Sequence, residues 1–368
     1  MLLINIYNYV KYLEVKVLQA SILNLAPLRE DNNYRKAIND MLDLAEYADK
    51  LKYKRFWIAE HHNTKNFASS ATVILMDEAL KRTNNIRIGS GGIMLPNHSP
   101  YIVAEQFGTL AILYPDRVDL GLGRAPGTDM ATAKAIRRSN EAVIKFPKEI
   151  EEIQGYFEDT NDVQAFPAAG INIPIIILGS STDSAHLAAK LGLPYAFASH
   201  FAPSQIIDAL EIYQKEFKPS KTLQKPYTIV GVNAFVADTN NEAKKLMTTQ
   251  LQASLDIVTN KRRALQPPMK NSDEVWDKYL DSRLEANAIP HFGPVKFKRD
   301  QLIGNVKGIV ESMNALSLVG DKETVKQQLE RLQSQIKFDE LMVTGFIYDT
   351  EAMRYSYKLL KEIVDNIK

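Results

Sequence analysis

Short apolar runs alternate with longer amphipathic segments along most of the chain. Strands that alternate with helices in this way form parallel sheets. Eight units of this kind predict an α/β fold, a closed (β/α)8 TIM barrel, with a doubly wound open sheet as the alternative. The eight strand candidates are Val15–Leu23, Arg55–Ala59, Ile86–Leu95, Arg117–Leu122, Ile173–Leu178, Tyr195–Ser199, Tyr227–Ala237 and Phe338–Val343.

The segments between these strands carry apolar residues three and four positions apart, which is the spacing of one helix face. Gly192 follows one of these segments directly and fits the glycine that commonly ends a helix. The helices that we predict are Tyr34–Leu51, Ala71–Leu80, Pro100–Tyr114, Asp183–Leu191, Ser204–Phe217 and Glu351–Ile367.

Two stretches break the alternation, Asn140–Pro174 after the fourth strand and Asn260–Asn314 after the seventh. We interpret both as insertions in one barrel domain of residues 15–368, because α/β barrels reach this length as single domains. Long irregular inserts in a domain are usually functional lids or disordered segments. Residues 1–14 lack the basic start and cleavage site of a secretory signal, so we expect an N-terminal extension without a catalytic role.

Composition narrows the classes of function. The 45 basic and 44 acidic residues leave a net charge of +1, which argues against a broad nucleic-acid surface. The apolar runs are too short or too interrupted to span a membrane. The chain contains no cysteine, which excludes disulfides, thiolate zinc sites and a cysteine nucleophile, and fits a reducing cytoplasm, where we expect the protein.

Polar residues and glycines follow directly after most of the predicted strands. In a barrel these positions meet on one rim, where active sites lie. This convergence indicates a site more strongly than any single motif does. The segments are Glu60-His61-His62, Ser90-Gly91-Gly92, Gly121-Leu122-Gly123-Arg124, Gly179-Ser180-Ser181-Thr182 and Ser199-His200.

The Gly179–Thr182 turn lies between a strand and a helix and offers free backbone N–H groups at the positive end of the helix dipole. It therefore fits a phosphate, although serine and threonine also cap helices in proteins without any ligand. Arg124 should lie on the same rim and could form paired hydrogen bonds with a phosphate. Arg137 and Arg138 are further candidates, but an arginine pair on a helix is more often a solvated face.

Two other rim segments admit more than one interpretation. Gly91–Gly92 fits the close approach of a flat ring system, although a β-bulge is the more common reason for such glycines. His61 and His62 are adjacent and should point to opposite faces, so we expect no metal site. One histidine would act as an acid or base and the other would have a structural role. Asn97-His98 looks like a loop before a helix.

Several motifs resemble the bacterial luciferase-like flavin-dependent monooxygenases, in particular the branch known as luciferase family oxidoreductase, group 1. The resemblance runs from about Val15 to the C-terminus. The strings that carry it, in order, are FWIAEHHN, GSGGIMLPNHSPYIVAEQFGTL, RVDLGLGRAPGTD, IIILGSSTDSAHLAAKLGLP and LSLVGDKETV. Motifs of this length in a fixed order are far more specific than a lone glycine pattern.

The resemblance implies a (β/α)8 barrel that uses reduced flavin mononucleotide (FMN) and O₂ on a small organic substrate. It places Glu60 and His61 at the flavin, with His61 as the acid/base, and the ring over Ala59 and Gly91–Gly92. In the family, the peptide bond that corresponds to Gly91–Gly92 is cis although it does not involve proline. The phosphate-binding arginine corresponds to Arg124, and its companion turn is Gly179–Thr182, with Ser180 and Ser181 as the closest match. A second family arginine corresponds loosely to Arg137 or Arg138.

The chain departs from the luciferases in two respects. Gly123 stands where luciferase has a reactive cysteine, and the loop that shields the flavin has no clear counterpart, although Asn260–Asn314 occupies that stretch. We therefore do not predict light emission or aldehyde specificity.

We expect an FMN-dependent oxidoreductase, with monooxygenation as the leading reaction. The alternatives are a deazaflavin-dependent hydride-transfer enzyme of the same fold and a non-catalytic flavin-binding protein. Family members are commonly homodimers, and the helices Ala71–Leu80 and Pro100–Tyr114 have apolar faces that could pair. A flavin reductase is a further partner that the resemblance allows.

Overall fold

Parallel strands close into a barrel with helices around it. The computed structural model describes residues 18–30, 33–125, 128–136, 142–285 and 299–367, so the proposed N-terminal extension and Arg137 and Arg138 lie outside the described residues. The strands are β1 (Gln19–Asn24), β2 (Arg55–Ile58), β3 (Arg87–Met94), β4 (Val118–Gly123), β5 (Ile175–Gly179), β6 (Tyr195–Phe197), β7 (Thr228–Val236), β8 (Leu318–Gly320) and β9 (Glu340–Thr344).

All eight predicted strands form the barrel, in the order β6-β5-β4-β3-β2-β1-β9-β7, and β6 pairs with β7 to close it. The fold class is therefore confirmed and the open-sheet alternative is wrong. One strand was not predicted: β8 pairs in parallel with the last three residues of β7, Ala234–Val236. It can do so because β7 is nine residues long and continues past its pairing with β9, which ends at Asn233.

The helices are α1 (Tyr34–Lys50), α2 (Thr72–Arg82), α3 (Pro100–Leu113), α4 (Met130–Ala135), α5 (Ala142–Glu158), α6 (Thr182–Leu191), α7 (Ile206–Glu216), α8 (Asn240–Val258), α9 (Ser272–Glu285), α10 (Arg299–Met313), α11 (Lys322–Gln335) and α12 (Thr350–Asp365). Each predicted helix is present within a few residues of its expected bounds. Gly192 ends α6 with a φ of +63°, as predicted. In the described part of the chain, no helix combines the length and apolarity that a membrane span requires.

The two insertions are more regular than expected. Helix α5 occupies the first half of the insertion after β4. Helix α8 leads into the insertion after β7, and α9 and α10 lie within it. These three helices enclose a separate apolar cluster, which explains why the described part of this insertion folds although it lies outside the barrel. Its buried members are Leu251, Leu255, Val275, Trp276, Tyr279, Ile303 and Val310.

Alternate strand residues point to opposite sides of the sheet, so the barrel has an outer and an inner core. Phe56, Ile88 and Leu120 belong to the large outer core beneath the helices. The inner core is small and fills the middle of the barrel. It consists of Leu23, Trp57, Ala59, Ile176, Ala196, Ile229 and Met342, with Leu25, Leu178 and Tyr227 packed against it.

A charged network occupies the amino-terminal end of the barrel interior. Arg55 lies between two fully buried carboxylates, 2.6 Å from Asp119 Oδ2 and 3.0 Å from Glu340 Oε1. Burial alone would lower the pKa of Arg55, but the two carboxylates outweigh burial and raise it above its usual value. Arg87 also binds Asp119, and the Tyr227 hydroxyl donates to Glu340 at 2.6 Å. These ion pairs and hydrogen bonds hold the strands together at the end of the barrel opposite to the predicted rim.

Candidate active site

The carboxyl ends of the strands bring the predicted rim segments together around a mouth lined by small residues. Ala59 follows β2, while Gly91–Gly92 lies within β3 and Gly123 ends β4. The Gly91–Gly92 peptide is cis, as the family resemblance implied. The pairing of β3 with β4 also shifts register between Gly91 and Ile93, which is compatible with the β-bulge interpretation.

Packing inside the barrel explains why glycine stands at these positions. A Cβ at Gly91 would lie 2.6 Å from Leu23 Cδ1, and one at Gly92 would lie 2.7 Å from the Gly121 carbonyl oxygen. Larger residues would therefore displace the inner core or the neighbouring strand. The result is a mouth whose floor carries few side chains, which a flat ring could approach closely.

Glu60 is the centre of a buried hydrogen-bonded cluster. Its carboxylate is 1% exposed, and Oε1 lies 2.7 Å from His62 Nε2 and 2.9 Å from His98 Nε2. Burial raises the pKa of Glu60, but the hydrogen bonds from the two histidines outweigh burial and hold it below its usual value. A carboxylate only accepts hydrogen bonds, so both Nε2 atoms carry a hydrogen. Glu60 is therefore an ionised anchor for two imidazoles.

His98 is a member of this cluster that our sequence interpretation missed, since we assigned it to a loop before a helix. The signal was present: His98 follows the end of β3 as Glu60 follows β2, and these two strands are neighbours in the sheet. The same argument that placed the other rim residues together would have placed these two together.

Glu60, His62 and His98 also have the ligand types and proximity of a cation site, with all three ligand atoms within 4.8 Å of one another. However, their contacts of 2.7–3.0 Å are the lengths of direct hydrogen bonds, and the three groups satisfy each other. His61 does not join them, in agreement with the expectation that adjacent histidines diverge. The absence of a metal therefore stays a prediction.

His61 has a different environment from His62. Its Nδ1 atom is buried and has no hydrogen-bond partner among the described residues, and its ring packs 5.2 Å from that of Phe67. Burial lowers the pKa of His61 to about 4. The imidazole is therefore neutral near pH 7, and Nε2 is the ring nitrogen that a bound molecule can reach.

The residues of the predicted phosphate site lie where β4 and β5 end. Arg124 Nη2 lies 3.4 Å from Asp183 Oδ2, which brings the guanidinium to the first turn of α6. Ser181 caps α6, but its side chain accepts no hydrogen bond from the helix backbone. The first N–H groups of α6 therefore lack the side-chain partner that many helices have. Arg124 and the α6 terminus together form a cationic notch that an anion can enter.

The turn before α6 is fixed by hydrogen bonds. The hydroxyls of Ser184 and Tyr195 both donate to the Ser181 carbonyl, at 2.7 and 3.1 Å. A Cβ at Gly179 would lie 1.9 Å from Ser184 Oγ, so only glycine fits there. Ser180, Ser181 and Thr182 remain partly exposed on this fixed turn.

His200 lies on the part of the rim that follows β6. Its Nδ1 is buried without a partner among the described residues. A Cβ at Gly231 would lie 2.6 Å from this atom, so Gly231 makes room for the ring. Asn233 Nδ2 donates to the His200 carbonyl at 2.7 Å and holds the residue in place. Burial lowers the pKa of His200 to about 4.

This pKa predicts an acid-dependent loss of stability. As the pH falls from 6.5 to 4, the unfolded chain gains a proton at His200 that the folded chain does not bind, so folding weakens. The free energy of unfolding should fall between pH 7 and pH 4.5. We expect this fall to be roughly 2 kcal/mol smaller in His200→Gln than in the unmodified protein. Urea denaturation at both pH values measures it, with the exposed His186→Gln as control. An unchanged pH dependence in His200→Gln would contradict the prediction.

The protein is a closed parallel α/β barrel, and its candidate site lies at the carboxyl ends of the strands, where the active sites of such barrels lie. The sequence profile of the luciferase-like monooxygenases matches residues 19–336. The chain belongs to this family.

Two relatives show how far the similarity extends. A luciferase-like monooxygenase of Escherichia coli K12 is 41% identical over 356 residues, which cover 96% of this chain and 98% of the relative. The crystal structure of apo-MsnO8 has a TM-score of 0.77 at 29% identity and covers 94% of this chain and 98% of that one. The similarity thus includes the insertions as well as the barrel.

More distant structures share the fold alone. One is the oxygenating constituent of 3,6-diketocamphane monooxygenase from Pseudomonas putida in complex with FMN, with 17% identity, a TM-score of 0.66, and coverage of 96% of this chain and 99% of that one. Another is an F420-dependent secondary alcohol dehydrogenase, with 16% identity, a TM-score of 0.61, and coverage of 94% and 98%.

Proposed function

We propose that the protein is an FMN-dependent monooxygenase that acts on a small organic substrate. In the overall reaction, reduced FMN, O₂ and substrate give oxidised FMN, oxygenated substrate and water. The observation that carries the proposal is the cationic notch of Arg124 and the α6 terminus, which opens on the same mouth as the neutral His61. Family membership supports the reaction class.

The residues of the mouth fit a flavin mononucleotide in three respects. The notch offers a guanidinium and free N–H groups to a phosphate. The floor around Gly91–Gly92 has little side-chain volume and admits a flat ring. His61 and His200 each leave a buried Nδ1 unpaired among the described residues, so neither Nδ1 is committed to a hydrogen bond within the described protein.

In this proposal Arg124, Ser180, Ser181 and Thr182 hold the phosphate, and the ring lies over Ala59 and Gly91–Gly92. Bound reduced flavin supplies the two electrons that O₂ activation requires. His61 lies beside the ring and, being neutral, can accept a proton at Nε2. The Glu60 cluster fixes the segment that carries His61. The aromatic rings near His61 exclude water.

The phosphate assignment predicts a selective loss of affinity. Arg124→Gln removes a charged hydrogen-bond donor, so we expect FMN to bind about tenfold more weakly. Riboflavin, which has no phosphate, should bind as well as it does to the unmodified protein. Flavin fluorescence titration measures both, and the exposed Arg331→Gln on α11 is the matched control. Equal loss for the two flavins would assign Arg124 to another role.

The reaction class is tested with purified protein, a generic flavin reductase, reduced nicotinamide and a panel of small organic substrates. Transfer of one oxygen atom from ¹⁸O₂ into a product supports the monooxygenase. Parallel titration with a deazaflavin tests the hydride-transfer alternative. Binding of deazaflavin but not FMN, or of neither, would contradict the proposal.

We also propose that the protein is a homodimer formed through α2 and α3. These helices pack side by side on the barrel. They expose large apolar side chains, which are solvated at a cost unless a partner covers them. These residues are Ile74 (68% exposed), Ile102 (47%), Ile112 (53%) and Leu113 (60%).

A charge in this surface should separate the protomers. We expect Ile74→Glu to elute as a monomer at micromolar concentration, since an unpaired charge would have to be desolvated in the interface. Size-exclusion chromatography with light scattering measures the mass. Ile309→Glu, an exposed isoleucine of α10, is the control and should leave the mass unchanged. A dimeric Ile74→Glu variant would place the interface elsewhere.

A further inference from the structure

We propose that a cavity beside His61 binds the substrate, and that this substrate is an organic acid with an apolar or aromatic body. The substrate role rests on the proposed function, whereas the binding of an acid can be tested without flavin. The cavity has a volume of about 220 Å³. This is below the roughly 300–1,000 Å³ of drug-sized pockets, so the ligand must be small.

The cavity lies next to the candidate proton-transfer residue. Residues of the segment after β2, among them Asn66 and Phe67, line it together with Phe346, which follows β9. The Phe67 ring contacts both the cavity and the ring of His61. A molecule in the cavity would therefore present its body close to the mouth of the barrel.

One wall of the cavity is aromatic. The rings of Phe67 and Phe346 are stacked, with centroids 5.8 Å apart and an interplanar angle of 24°. Leu265 is a further apolar residue of the lining. This wall favours an apolar or aromatic group and offers nothing that binds an anion.

Three consecutive cations, Lys261, Arg262 and Arg263, also line the cavity, whereas Asp256 is the only carboxylate among the described lining residues. Arg263 and Asp256 neutralise each other through contacts of 2.7–3.1 Å. The other two cations of the lining, Lys261 and Arg262, are therefore not neutralised by Asp256.

Arg262 is only partly compensated. Its guanidinium donates to the Asn63 carbonyl at 2.6 Å and lies 3.4 Å from Asp129 Oδ2. Asp129 in turn accepts hydrogen bonds from Asn63 Nδ2 and from the Thr132 backbone, at 2.7 and 2.9 Å. Arg262 thus connects two rim segments and supplies only part of its charge to the cavity.

Lys261 is the cation that an incoming acid can pair with. Its backbone N–H donates to the Asp256 carbonyl at 2.7 Å, which fixes the residue at the cavity wall. No carboxylate of the described residues pairs with its ammonium group. A bound acid could therefore pair its carboxylate with Lys261 and pack its body on the Phe67 and Phe346 rings.

The experiment compares two probes of equal shape, phenylpropanoate and phenylpropanamide, by calorimetric titration of the flavin-free full-length protein. We expect the acid to bind about five- to tenfold more tightly than the amide at low salt. The difference should shrink in about 0.5 M NaCl, because salt screens the charge. Phe346→Ala should weaken both probes alike.

Lys261→Gln should reduce the preference for the acid to less than about twofold. Lys270→Gln removes a charge from an exposed residue that does not line the cavity and should keep the preference. Equal affinity for the two probes, an unchanged preference in Lys261→Gln, or no binding of either probe would overturn the proposal.

FMN titration of the same preparations separates this proposal from the proposed function. If FMN binds and the acid does not, the substrate class is wrong and the monooxygenase proposal stands. If the acid binds through Lys261 and FMN does not, the cavity is an acid site but the proposed function is wrong.

Discussion

His61→Ala is expected to slow oxygenated product formation by roughly 10²–10⁴-fold, the usual contribution of a positioned acid or base. FMN affinity should remain largely unchanged, because the phosphate notch lies on another part of the rim. The expectation rests on an imidazole whose Nδ1 is buried and unpaired among the described residues and whose ring packs on Phe67. The measurement is the rate of product formation with reduced FMN and O₂.

The pH profile provides a second test of the same residue. The pKa of His61 is lowered to about 4, so a base at this position loses activity only as the pH falls towards 4. An unperturbed histidine would lose it near pH 6.5. His186→Gln, on the exposed face of α6, is the control. Unchanged turnover in His61→Ala would remove its catalytic role.

Asp119→Asn is expected to lower the free energy of unfolding by about 3–5 kcal/mol, because it breaks a buried ion-pair network and leaves positive charge uncompensated. Asp119 is fully buried and accepts hydrogen bonds from Arg55, from Arg87 and, at 3.2 Å, from Trp57 Nε1. After the substitution Glu340 still pairs with Arg55 and Lys54, whereas Arg87 keeps no carboxylate partner among the described residues. Urea denaturation measures the change.

The control for this variant is an exposed ion pair. Glu158 pairs with Lys221 at 2.9 Å, and both side chains are exposed, so Glu158→Gln should cost less than about 1 kcal/mol. If Asp119→Asn costs no more than this control, the network contributes little to stability. FMN binding by folded Asp119→Asn should be unchanged, since the network lies at the other end of the barrel.

The barrel could be predicted from the sequence because its signal is local. Each parallel strand is a short apolar run, as in Ile175–Gly179, and its end is followed by glycine or polar residues. Helices such as α1 show their buried face through regular spacing. The three-residue strand β8 was missed because a run of this length carries no periodicity of its own.

The site could be predicted only as far as strand ends define it. Arg124 and the Gly179–Thr182 turn were placed on one rim by topology, and the structure brings them together. The link between Glu60 and His98 was missed because we assigned His98 to a loop before a helix, although both residues follow neighbouring strands. The cavity beside His61 was also out of reach, since residues far apart in sequence, such as Phe67 and Phe346, form its aromatic wall.

The charged network at the base of the barrel affects which substitutions this protein can tolerate. Arg55, Asp119 and Glu340 hold the strands at one end, while the mouth and the Lys261–Arg263 wall lie at the other. Mutations that alter ligand preference therefore need not touch the residues that keep the barrel closed. A directed-evolution library confined to the exposed lining residues Ile257, Lys261 and Arg262 should yield mostly folded variants, and new substrates should be sought there first.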